Sequence, residues 1–245
     1  MRNGKLFLIV SMALVAMMTS AASADQTTTL KYLGYQASPY RIVDLNYNSY
    51  QHNNVVAGIY GFTQVVPNTS ARIDTYCIQL DQDINNGWTR TFEIVDLEDA
   101  PIGGGSTAMG ASKAADIREM WIEIGTALEW DQTPSDSSQA AAIQMAIWEI
   151  VHETTDSSYA FDSGNMKVTD FGGASTEAQS VLALVDGTEY SSQPSLKALV
   201  NTQTQDFVAI VDENFAVVPL PAAVYPGMAL LGFLGVGKLR RKSAA

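Results

Sequence analysis

The chain has 245 residues, 47% of them hydrophobic, with a single Cys and a formal net charge of −12 at pH 7. That length and apolar content suit one full-sized domain or two small ones and exclude a disordered chain. The acidic balance excludes nucleic acid as a partner, and one Cys excludes an internal disulfide.

The basic residues concentrate at the ends. Residues 1–24 carry Arg2 and Lys5, then an apolar run from Leu6 to Met18, then Ala22-Ser23-Ala24. This is the pattern of a secretory signal peptide, with the mature chain expected to start at Asp25. The core between the two ends is left with eight Lys/Arg against 26 Asp/Glu, a surface that suits a solvated extracellular protein. In oxidising surroundings a lone Cys77 is sealed, bonded to another molecule, or used chemically.

Along the core, strands are expected at residues 27–33, 40–45, 55–65, 71–80 and 91–97, with residues 51–54 as punctuation. Gly58 and Gly61 inside the third strand point to a bulge or a close backbone approach. Cys77 falls near the end of the fourth. Asp81, Asp83 and Asn85 beyond it alternate like calcium ligands, but Gly87 is one place late for an EF-hand and no Glu follows at the required distance, so a solvated turn is expected. The Gly103-Gly104-Gly105 run lacks a flanking Lys and is no phosphate loop.

Helical spacing of Ala114, Ile117, Trp121, Ile124 and Leu128 predicts a helix over 112–128. Residues 130–138 form a loop that caps a second helix over 138–153. Between Ala140 and Val151 only Gln144 and Glu149 are strongly polar, so this helix is apolar nearly all round and buried. A buried primary amide left unpaired costs roughly 1–3 kcal/mol, so Gln144 needs a partner, either a structural hydrogen bond or a chemical one. A hairpin about Gly164 over 159–168, a short helix over 176–185 and a last strand over 205–211 complete the core. The expected class is α+β: an antiparallel β-sandwich or barrel-like domain over residues 25–216, with an inserted helical subdomain carrying the Gln helix.

Residues 217–245 read as a tripartite tail. Val218-Pro219-Leu220-Pro221 is a Pro box, residues 222–237 are apolar, and Lys238, Arg240, Arg241 and Lys242 form a basic stop. A segment of that length crosses a thin bilayer when its terminal cations snorkel, and the basic end stays cytoplasmic. The tail resembles the PEP-CTERM sorting signal of Gram-negative, matrix-producing bacteria, with Leu220 where the name-giving Glu would stand. The resemblance implies transient inner-membrane anchoring, recognition by an exosortase-type transpeptidase, and delivery to the cell surface or a biofilm matrix.

A second resemblance rests on Thr75-Tyr76-Cys77-Ile78 followed by Ala142-Ile143-Gln144-Met145-Ala146-Ile147-Trp148. These are similar to the paired motifs of the thioester domains of bacterial surface adhesins, an aromatic-Cys strand and an apolar-Gln-apolar-Trp helix. The resemblance covers residues 27–211 and departs in its anchor, since the well-known members are held on Gram-positive walls by a different tail. It implies an intramolecular thioester between Cys77 and Gln144 that couples to amines of a partner protein, surface glycan or matrix component. Sealing Cys77 and removing the Gln144 amine from a dry helix would then share one cause.

Three further residues adjoin the pair. Trp148, at i+4 from Gln144, is expected as a wall of the pocket. Tyr76 points to the opposite strand face from Cys77, as core packing. His152 lies two turns beyond Gln144, as a satisfied helix-end His or an assistant to the chemistry. The other readings are a non-covalent structural or polysaccharide-binding matrix protein with a buried Cys, and a cysteine hydrolase using Cys77 with His52 or His152. The hydrolase is disfavoured because an apolar strand is a poor site for an exposed nucleophile. The chain has no HExxH, no Walker loop and no Cys/His cluster, so no cofactor or metal is expected and the protein is not expected to be an enzyme.

Overall fold

In the computed structural model, β1 (Gln26–Tyr32) is hydrogen-bonded on both flanks, to β4 (Tyr60–Val66) and to β6 (Thr89–Asp96). From β4 the ladder runs through β5 (Arg72–Cys77), β9 (Phe207–Ile210) and β8 (Leu196–Val200) back to β6, every pair antiparallel. Six strands therefore close into a barrel. The structure describes residues 26–67, 70–103, 107–154, 159–188, 195–211, 215 and 218–219. The signal-peptide segment, Leu220, Pro221, the apolar tail and the basic stop lie outside them. Among the described residues no helix is long and apolar enough to cross a membrane. Gln26–Val218 is one compact unit.

The barrel is filled by aromatic rings from alternate strand positions. Phe62 meets Tyr32, Phe92 and Phe207 at ring-centroid distances of 5.3, 5.9 and 5.0 Å, the last two edge-on. Each such ring contributes about 1.5–3 kcal/mol by burial, and about 0.5–1.5 kcal/mol more per ring pair.

A second, three-stranded sheet has the order β3-β2-β7, from β2 (Tyr40–Tyr47), β3 (Tyr50–Gly58) and β7 (Met166–Asp170). Helices α1 (Ala111–Thr126), α2 (Ser137–His152) and α3 (Ser175–Leu182) accompany it. Helix α2 is the hub, packing on β2, β3 and β7, on β5 of the barrel, and on α1 and α3. It has no Gly or Pro, is rich in Ala, and starts where Asp136 accepts hydrogen bonds from Ser138 N and Gln139 N at 2.8 and 3.0 Å, a strong N-cap. Fourteen of its residues, Ser138 and Ala140 to His152, are buried. The α+β class with a barrel and a helical part is as expected.

Three local expectations are corrected, and one strand is added to them. Residues 51–54 do not punctuate the chain but belong to β3; the turn is Asn48-Ser49, at φ 52° and 66°, the left-handed pair of a two-residue hairpin joining Tyr47 to Tyr50. Residues 55–65 are not one strand. The chain breaks at Gly58, φ 153°, where an added Cβ would lie 2.4 Å from Pro39 O, and passes there from one sheet to the other. The two-stranded hairpin about Gly164 is a single strand, β7, paired with β2, because the turn before it wraps the Glu153 carboxylate, which accepts from Asn165 N. Finally, β8 was not expected at all. It bridges β6 and β9 in the barrel wall.

Candidate functional site

Cys77 is the last residue of β5, and Gln144 lies in the second turn of α2; both are fully buried. The structure brings them together. Cys77 N donates to Gln144 Oε1 at 2.8 Å, and Gln144 Nε2 donates to Cys77 O at 2.8 Å. The amide is thus clamped on the backbone of the residue that carries the thiol. The thiol itself donates to Gln79 O at 2.8 Å.

Burial pushes the Cys77 thiol well above its ordinary pKa. The hydrogen bond to the Gln79 backbone and the nearby Trp148 indole ease it down, while Asp206 and Asp81 push it up. Among the described residues the Trp148 N–H has no hydrogen-bond partner. That orphaned indole is 1% exposed and is the wall of the pocket next to the pair. Tyr76 is part of the opposite face, its hydroxyl donating to Gln132 O at 3.1 Å and its ring set edge-on against Trp121.

His152 ends α2 and holds the residue that follows the end of β5. Its Nε2 lies 3.0 Å from Ile78 O and its ring is 4.5 Å from that of Tyr47. Burial lowers its pKa to about 4, so the imidazole is neutral at pH 7. His52, the other His, is on β3 with its ring 6.4 Å from Tyr47. Among the described residues, Cys77 Sγ hydrogen-bonds Gln79 O and neither His.

Two buried carboxylates were not singled out as site residues from the sequence. Asp206 accepts from Gln79 Nε2 at 2.7 Å and from Asn201 N at 2.7 Å, while its own N–H donates to Gln79 Oε1. Ile78 N donates to Asp206 O, so Asp206 holds both the residue after Cys77 and the side chain of Gln79, whose carbonyl accepts from the thiol. Burial raises its pKa to about 7. Glu149, five residues beyond Gln144, accepts from Ala160 N at 2.9 Å through Oε1 and among the described residues has no partner for Oε2; burial first, then the nearby Glu153, raises its pKa to about 8. Glu149 was visible as the second polar residue of an apolar helix. Asp206 carries no sequence signal of burial.

The Asp81, Asp83 and Asn85 turn precedes β6, and among the described residues no cluster of His, Cys, Asp or Glu is arranged to hold a metal. Val218 and Pro219 form a two-residue strand.

No family model matches the sequence, and no curated protein matches it. Among solved structures, the N-terminal thioester domain of a surface protein from Clostridium perfringens is similar, with a TM-score of 0.41 and 9% sequence identity, over 79% of this chain and 99% of that one. A likeness so distant carries no inference about function.

Proposed function

We propose that Cys77 and Gln144 form an intramolecular thioester through which a secreted, surface- or matrix-sorted protein couples covalently to amines. The observation that carries this reading is the reciprocal pair of 2.8 Å hydrogen bonds that clamps the Gln144 amide on Cys77. Sγ releases its bond to Gln79 O and attacks Gln144 Cδ. A C–S bond forms, the C–N bond breaks, and the thiol proton leaves on nitrogen as ammonia. Cys77 N–H already points at Oε1, the atom on which negative charge develops, so it stabilises the tetrahedral intermediate. Burial then keeps water from the acyl group until an amine displaces the thiol. Secretion and sorting rest on the signal-peptide pattern at residues 1–24 and on the tail from Val218 to Lys242.

One other reading is favoured by the same bonds: they satisfy the Gln144 carbonyl and one N–H, as a non-covalent structural clamp in a matrix protein requires. Intact mass separates the two. The thioester gives a protein one ammonia lighter than its sequence, which gains one methylamine on incubation and frees a thiol. A mass equal to the sequence mass, with a thiol that titrates only after unfolding, refutes it.

A further inference from the structure

A cleft of about 510 Å³ opens between residues 52–56 of β3 and the loop after β5 that carries Leu80 and Asp83, a size ordinary for small-molecule sites. Thr204 Oγ1 donates to Asp83 O at 2.9 Å and so brings Gln205, just before β9, into the lining. Tyr32 of β1 lines it too. These two residues are 9% and 2% exposed, yet among the described residues neither the Gln205 side-chain amide nor the Tyr32 hydroxyl makes a hydrogen bond. Neither group is sealed as the Trp148 indole N–H is, so both reach the cleft.

Buried polar groups are normally paired, and two uncommitted ones meeting in one cleft mark a place where a ligand completes the bonding. A hydroxyl both donates and accepts, and an amide offers two donors and a carbonyl. At the mouth the exposed Asn53 accepts from Gln51 Nε2 at 2.9 Å, which leaves its own NH2 to donate.

The lining holds one carboxylate, Asp83, and no Lys or Arg, on a protein of formal charge −12. An anionic ligand finds no counter-charge there and is repelled at a distance. A neutral ligand rich in hydroxyl groups matches the mixed donors and acceptors, and its C–H face packs on the half-buried ring of Tyr35, itself held edge-on to Tyr40 at 5.0 Å. An extended peptide would instead add to β3, the outer strand of its sheet. Two backbone groups of that strand are already taken: Asn54 N donates to Asp44 Oδ1 at 2.8 Å, and Val56 O accepts from the Tyr60 hydroxyl at 3.1 Å.

From this arrangement we infer that the cleft is a non-covalent binding site for a neutral, hydroxyl-rich glycan segment. Such binding needs no thioester.

Calorimetric titration of the purified protein with cellohexaose, maltohexaose, mannohexaose and galactohexaose tests it, with hexagalacturonate as the anionic control and an alternating Ser-Val decapeptide as the strand-like one. At least one neutral hexasaccharide is expected to bind with a Kd below about 1 mM, and at least about tenfold tighter than hexagalacturonate. Tyr32→Phe, which removes only the hydroxyl, and Gln205→Met, which removes only the amide, should each weaken it roughly three- to tenfold, the scale of one lost hydrogen bond. Asn53→Trp, at an exposed position of the mouth, should abolish it and leaves the core intact should the buried variants fail to fold. No binding of any of the four sugars, or equal binding by wild type and Asn53→Trp, overturns the site. Tighter binding of hexagalacturonate or of the decapeptide overturns its assignment to neutral glycan. Each preparation is weighed first, so a failure of the cleft is told apart from a Cys77–Gln144 bond that has not formed.

Discussion

Cys77→Ala separates a cross-linked protein from a merely hydrogen-bonded one, because it leaves the Cys77 N–H and C=O that hold Gln144 in place. What it removes without a thioester is one thiol hydrogen bond of 2.8 Å and one buried sulfur, together about 1–2 kcal/mol. With a thioester it also removes a covalent closure between residues 67 apart in sequence. By the chain-entropy relation used for disulfides, such a closure stabilises the fold by roughly 4 kcal/mol. The expected total is therefore about 5–6 kcal/mol, and for a domain of this size the covalent part alone is worth roughly 8–16 °C in Tm. Urea unfolding of wild type and variant measures it, and the variant should also show a steeper dependence on urea, since its denatured chain is no longer tied. A loss of only about 1–2 kcal/mol with unchanged slope would refute the cross-link.

Two further outcomes follow, one from a buried carboxylate and one from a helix cap. Glu149 has a native pKa of about 8, above that of a carboxyl in the unfolded chain, so the native state holds a proton that the unfolded state has released. Stability should thus decline as pH rises from about 4.5 to 8, and Glu149→Gln should flatten that decline in pH-dependent denaturant titrations; an unchanged slope would contradict the buried, half-partnered carboxylate. Asp136→Ala should cost about 1 kcal/mol in the same assay by removing two N-terminal hydrogen bonds of α2, and Asp136→Asn should restore most of it.

The Gln helix was the most legible part of the sequence, because its burial is written in composition: a run of Ala and Ile with two polar interruptions admits few other readings. Cys77 at the end of a strand was legible for the same reason, and the pair's proximity was reachable only through the resemblance, since nothing in spacing alone links residues 67 apart. The limits of the elements were less so. Asn48-Ser49 does not look like a hairpin turn, as Ser seldom takes φ of 66°, whereas the polar Gln51-His52-Asn53-Asn54 looks like one and is a largely exposed stretch of strand. β8 was missed because Leu196-Lys197-Ala198-Leu199-Val200 is five residues long and its ladder partners lie far away in sequence, at residues 93–96 on one side. Asp206 could not be found at all. Its role depends on Gln79 and Asn201 arriving beside it.

The double pairing of β1 has a mechanical meaning. A strand laddered on one side peels away one hydrogen bond at a time, but β1 is held to β4 through residues 29–32 and to β6 through residues 26–31. A pull transmitted along its axis must shear both ladders at once, so the barrel resists tension at the first strand more stiffly than an open sheet of the same strands would.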